Sequence, residues 1–134
     1  MQQDEKKRIL VIEDNAALAT VLRLNLQHAG FDVRVAQNGR LACEVVRHES
    51  FDLVITDEQM PEMSGLEFCR HYRSTDAGRA VPIMLLTAKK LELDAAKISR
   101  ELQISRILGK PFSPKAIVRD VTGLLQGNLQ SVPG

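Results

Sequence analysis

Five polar side chains in this sequence stand where apolar runs end. Glu13 and Asp14 close the run Ile9-Leu10-Val11-Ile12, Asp57 follows Leu53-Val54-Ile55-Thr56, Thr87 ends VPIMLLT (81–87), and Lys110 follows the run at 104–108. Three carboxylates brought together repel one another and push at least one pKa upward unless a cation joins them. Hard divalent cations take oxygen ligands, and Mg²⁺ is often held by one or two carboxylates together with waters and phosphate oxygens. A carboxylate beside such an ion can act as a nucleophile on phosphorus and form an aspartyl-phosphate. Phosphoryl transfer asks mainly for positioning and for positive charge on the equatorial oxygens. Mg²⁺ and the Lys110 ammonium would supply that charge, and the Thr87 hydroxyl can donate to a phosphoryl oxygen. Taken singly, each residue is ordinary: an acid after a strand caps a helix, a threonine suits a strand, and a lysine sits on a surface. The chemistry depends on all five meeting at one place.

The elements that must bring them together are legible as a period. Residues 8–13 (RILVIE) form an apolar run that ends in acid. Asn15 suits a helix cap for residues 16–28, and Gly30 stops that helix. Residues 31–36 (FDVRVA) alternate apolar and polar, as a half-buried edge strand does. Asn38-Gly39 signals a turn, and a short helix follows over 40–48. Residues 52–56 form a buried strand that leads into Asp57. A loop with Pro61 precedes a helix that begins at Ser64 or Gly65 and runs to about Ser74. A continuous apolar strand spans 81–87. A helix over 90–102 carries Leu91, Ala95, Ile98 and Leu102 on one stripe. A last strand spans 104–108, Lys110-Pro111 makes a turn, and Pro114 suits the first turn of a final helix. Five strands alternating with five helices predict an α/β fold, a parallel sheet covered on both faces. In such a sheet, ligands bind outside the carboxyl ends of the strands, which is where all five residues fall.

The bulk properties leave that reading open and close others. The chain has 134 residues, 44% of them hydrophobic, and a net charge of +1 from 18 basic and 17 acidic side chains. One folded domain is expected, over 8–127, with a flexible start at 1–7 and a short tail at 128–134. The charge balance gives no reason to expect a direct nucleic-acid or membrane partner. No apolar stretch approaches the roughly 20 residues of a membrane helix, and no signal-peptide core is present. Cys43 and Cys69 have neither zinc nor redox-motif spacing and read as small core or boundary residues of a cytoplasmic protein. No GxGxxG follows the first strand, so a dinucleotide or flavin site is not indicated.

Across residues 8–127 the chain resembles the receiver domain of two-component response regulators, of the chemotaxis single-domain type. The matching segments are ILVIEDN (9–15), DLVITDEQMPEMSG (52–65), PIMLLTA (82–88) and KPF (110–112). The resemblance implies a flavodoxin-like, doubly wound five-stranded parallel sheet in the order 2-1-3-4-5 with five helices. It implies that Asp57 accepts a phosphoryl group from the phosphohistidine of a histidine kinase or phosphotransfer protein. It implies Mg²⁺ held by Asp14 directly, by Glu13 mostly through water, by Asp57 and by the backbone carbonyl of Gln59. Thr87 matches the switch hydroxyl and Lys110 the lysine that pairs with phosphate, with a cis bond to Pro111. The implied role is a phosphoprotein switch rather than an enzyme, passing its state to a downstream protein partner in the cytoplasm.

Two features depart from that family. Ile107 stands where receivers usually carry an aromatic residue whose ring moves as the threonine engages phosphate. The segment Leu102-Gln103-Ile104-Ser105-Arg106 replaces a common Gly-Ala pair. Lys89 and Gln59 occupy positions that tune dephosphorylation in the family. The alternative to the switch is a receiver-fold binding module that acts without phosphorylation. A Mg²⁺-dependent phosphohydrolase would commonly place a second acid two residues after its nucleophile, where this chain has Gln59, and would carry a cap insertion that is absent here.

Overall fold

The computed structural model describes residues 6–88 and 95–126. Among them, five strands alternate with five helices: β1 (Arg8–Ile12), α1 (Ala16–His28), β2 (Asp32–Ala36), α2 (Gly39–His48), β3 (Leu53–Asp57), α3 (Gly65–Arg73), β4 (Ile83–Thr87), α4 (Ala95–Leu102), β5 (Arg106–Gly109) and α5 (Pro114–Gln126). The strands form one parallel sheet in the order β2-β1-β3-β4-β5, the expected doubly wound arrangement.

Side-chain alternation along the strands divides the core into two layers. Leu10, Ile12, Val54, Ile83 and Leu85 point to one face, where Ala42 of α2, Phe68, Cys69 and Tyr72 of α3 and Leu102 of α4 cover them. Ile9, Val11, Leu53, Ile55, Met84 and Leu86 point to the other, beneath Leu22 and Leu26 of α1 and Ile117 and Val121 of α5. The central strands β3 and β4 are buried along their whole length, which is why they read as unbroken apolar runs. Edge strand β2 alternates exposed and covered residues, as its sequence pattern predicts.

The ends of the elements follow from local chemistry. The Asn15 side chain accepts from the backbone N–H of Leu18 at 2.9 Å and caps α1. Gly30, at φ 103°, ends that helix with its N–H on the Gln27 carbonyl and that of Phe31 on the Leu26 carbonyl. Asn38 belongs to a cap rather than a free turn: its side chain accepts from Leu41 N–H at 2.8 Å, so α2 starts one residue earlier than expected. β4 starts at Ile83, not residue 81, because Pro82 has no N–H for the ladder. β5 is displaced toward the carboxyl end, to Arg106–Gly109 instead of 104–108. The Ile104 N–H turns back to the Ser99 carbonyl to close α4, and only with Ser105 N–H to Ile83 carbonyl does pairing begin. Of the expected helix over 90–102, residues 90–94 lie outside the described residues, as do Lys89, residues 1–5 of the expected flexible start, Gly127 and the expected tail at 128–134.

Candidate functional site

The chain reverses its direction of travel across the sheet at β1, with β2 on one side and β3 on the other. That reversal opens a crevice at the carboxyl ends of β1 and β3. Glu13 and Asp14 directly follow β1, and Asp57 is the last residue of β3. Thr87 ends the neighbouring β4, and Lys110 follows β5. Backbone ties hold these ends level: Glu13 N–H donates to the Ala36 carbonyl at 3.0 Å, Glu58 N–H to Leu86 at 2.8 Å, and Lys110 N–H to Thr87 at 2.8 Å. The Lys110–Pro111 bond is cis.

Of the five side chains expected to meet, those of Glu13, Asp14, Asp57 and Lys110 converge at one sheet edge, and Thr87 ends the strand beside Asp57. A carboxylate oxygen from each of Glu13, Asp14 and Asp57 lies within 4.8 Å of the others. The Lys110 ammonium stands 3.0 Å from Asp57 Oδ1 and 3.7 Å from Glu13 Oε1. Glu13, Asp57 and Thr87 are buried, and Asp14 is exposed. The Glu13 Oε2 atom accepts from Asn15 N–H at 3.1 Å, whereas its buried Oε1 accepts no hydrogen bond. Burial pushes the Glu13 carboxyl up to about 7, opposed by the Asn15 N–H and reinforced by the charge on Asp57. A buried carboxylate oxygen with no donor is costly. Three converging carboxylates with one such oxygen fit a hard divalent cation, and the exposed Asp14 leaves that cation open to water and to phosphate oxygens.

The loop after Asp57 is fastened at both ends. Glu62 takes a left-handed conformation at φ 70°, and Met63 N–H returns to the Pro61 carbonyl at 2.7 Å. Ser64 and Glu67 form a reciprocal capping box on α3, with Glu67 N–H on Ser64 Oγ at 3.1 Å and Ser64 N–H on Glu67 Oε1 at 2.8 Å. Gly65 N–H donates to the Glu58 carbonyl at 2.9 Å, so α3 begins against the backbone of Asp57 and Glu58. A Cβ on Gly65 would collide with the Asp57 carbonyl. The S-x-x-E spacing was readable in the sequence, but the close approach at Gly65 was not. Gln59 lies in this loop, two residues beyond Asp57, and is exposed. Ile107 is half-buried, paired in register with Leu85, and packs on the core layer that holds Leu102 and Ile104.

These observations define a doubly wound α/β domain of the flavodoxin-like class, with an acid cluster and a lysine ammonium gathered at the carboxyl edge of its sheet. The sequence profile of the response regulator receiver domain matches residues 9–122, and this chain belongs to that family. PhoP, the alkaline phosphatase synthesis transcriptional regulatory protein of Bacillus subtilis (strain 168), is 33% identical over 127 residues, covering 95% of this chain and 52% of PhoP. MtrA, a DNA-binding response regulator of Mycolicibacterium paratuberculosis, is 39% identical over 123 residues, covering 92% and 53%. The chain thus spans about half the length of the curated relatives it matches. Among solved structures, the chemotaxis response regulator CheY4 of Vibrio cholerae superimposes with a TM-score of 0.81 at 26% identity, covering 88% of this chain and 98% of that one. The receiver domain of a sensor histidine kinase from Pseudomonas aeruginosa PAO1, solved with a magnesium ion in its active-site cleft, also gives 0.81 at 26% identity, covering 91% and 99%.

Proposed function

We propose that this chain is a phosphorylation-controlled switch of a two-component system and that Asp57 is its phosphoacceptor. The observation that carries the reading is the placement of Asp57 between a cation-ready acid pair, Glu13 and Asp14, and the Lys110 ammonium 3.0 Å away. Response regulators interact with histidine kinases, and here the donor is the phosphohistidine of a kinase or phosphotransfer protein. An Asp57 Oδ atom attacks phosphorus, the P–N bond breaks, and the imidazole leaves with its electron pair and takes up a proton. Glu13, Asp14, Asp57 and the Gln59 carbonyl are the residues that would hold Mg²⁺, which supplies charge neutralisation on the phosphoryl oxygens. Lys110 pairs with a phosphoryl oxygen, and the buried Thr87 hydroxyl at the adjacent strand end donates to another.

The added charge and acceptor oxygens draw Thr87 and Lys110 toward Asp57 and favour one conformation over another. The chain acts as phosphoacceptor rather than as an enzyme on a separate substrate, with residues 8–127 as the switch unit. Its output goes to a downstream protein partner, without direct contact to nucleic acid, in the cytoplasm. Among the described residues, no helix is long and apolar enough to cross a membrane. Incubation with Mg²⁺ and acetyl phosphate, followed by intact-protein mass measurement, tests the reading. One phosphoryl adduct on the wild type and none on Asp57→Ala is expected. Absence of an adduct alongside phosphate-independent partner binding would replace the switch with a constitutive binding module.

A further inference from the structure

α4 is held at its carboxyl end by a side chain from another helix. Its described part runs over the eight residues Ala95–Leu102. Its described inward contacts are the buried Leu102 and the half-buried Ile98. It ends in a turn in which Ile104 N–H reaches the Ser99 carbonyl at 3.2 Å, with Gln103 in the left-handed region at φ 55°. That position favours glycine, and any side chain there is strained.

The carbonyls of this turn face Arg73, the last residue of α3. Arg73 Nε donates to the Leu102 carbonyl at 2.8 Å and Nη2 to the Gln103 carbonyl at 2.9 Å. Nη1 donates to the carbonyls of Gly78 and Val81, each at 2.7 Å, in the segment between α3 and β4. Among the described residues no carboxylate pairs with this guanidinium. Its partners are backbone oxygens, including the negative end of the α4 dipole. Burial draws the Arg73 pKa below its ordinary value, so an ion pair is not what recommends arginine here. The fixed fork of donors is, because it reaches two chain segments at once, and a lysine could not do so.

We propose that Arg73 is a latch that pins the carboxyl end of α4 to α3 and offsets the strain of left-handed Gln103, setting how readily α4 opens without the rest of the fold opening. Hydrogen exchange on the unphosphorylated chain tests this directly. In Arg73→Met, amides of Ala95–Leu102 together with Ile104 should exchange at least about tenfold faster, while those of β1 and β3 keep their rates. Arg73→Lys, which retains the charge but not the fork, should fall between and covers the case in which the methionine variant folds poorly. Adding Gln103→Gly to either variant should restore most of the lost protection. Acceleration spread evenly over α4, β1 and β3, or no acceleration at all, would overturn the latch. Failure of Gln103→Gly to restore protection would overturn the offsetting of strain.

Discussion

Lys110 Nζ sits 3.0 Å from Asp57 Oδ1, across a gap spanned by the sheet rather than by any local turn. On the proposed reading, the ammonium stands where negative charge would accumulate on a phosphoryl group at Asp57. Removing one preorganised donor from such a site typically costs about 10²–10³ in rate. Lys110→Ala is therefore expected to slow acetyl-phosphate labelling of Asp57 by about 10²-fold, read as the time course of the intact-mass adduct. Labelling at the wild-type rate would remove Lys110 from the chemistry.

The acid cluster should cost stability when no cation is bound. Mg²⁺ at ten times its dissociation constant should stabilise the fold by about 1.4 kcal/mol, a shift of a few degrees in Tm. Asp14→Asn should raise the Tm of the metal-free protein by relieving repulsion, and should weaken the response to Mg²⁺. Calorimetry with EDTA and with Mg²⁺ separates the two effects.

Gly65 ties the start of α3 to the backbone of Asp57. Since a Cβ there meets the Asp57 carbonyl and the Glu58 backbone, Gly65→Ala must shift either α3 or Asp57. A loss of about 1–3 kcal/mol is expected, together with slower labelling of Asp57. Chemical denaturation and the mass assay would read the two consequences. Ser64→Ala, which removes half of the capping box, should cost about 1 kcal/mol and leave the Asp57 backbone free of any new clash.

The two cysteines should differ in reactivity. Burial pushes the Cys69 thiol up to about 12, while partial burial, with the nearby Glu44 charge, also raises that of the half-buried Cys43. The thiolate is the reactive form, so at pH 8 about one Cys69 in 10⁴ is ionised in the folded chain. Raising the pH toward 9 increases that fraction about tenfold yet leaves it far below 1%. Iodoacetamide should add no more than one group to the native protein between pH 8 and 9, at Cys43, and two in urea. Rapid labelling of Cys69 in native buffer would contradict its burial.

Much of this molecule was readable from its residues. Unbroken apolar runs identified β3 and β4 because both faces of those strands are covered, and the alternation in 31–36 identified an edge strand because one side meets solvent. Asn15, Gly30 and Pro114 marked helix ends through chemistry that is local to the backbone. The candidate site was legible for a related reason: each of its residues terminates an apolar run, and strand ends of a parallel sheet share an edge. Boundaries shifted where a second segment intervened. β5 starts at Arg106 because α4 claims the N–H of Ile104, and α2 starts at Gly39 because Asn38 turns its side chain onto Leu41.

By itself, then, the sequence determined which elements form and which residues arrive at the working edge, since periodicity, caps and strand ends act over a few neighbouring positions. Tertiary structure alone decided how those residues relate: the 3.0 Å approach of Lys110 to Asp57, the unsatisfied Glu13 oxygen, the contact of Gly65 with the Asp57 backbone, and the reach of Arg73 across 29 and 30 positions to Leu102 and Gln103. Such distances are set by the packing of whole layers against each other, and no local pattern of residue types encodes them.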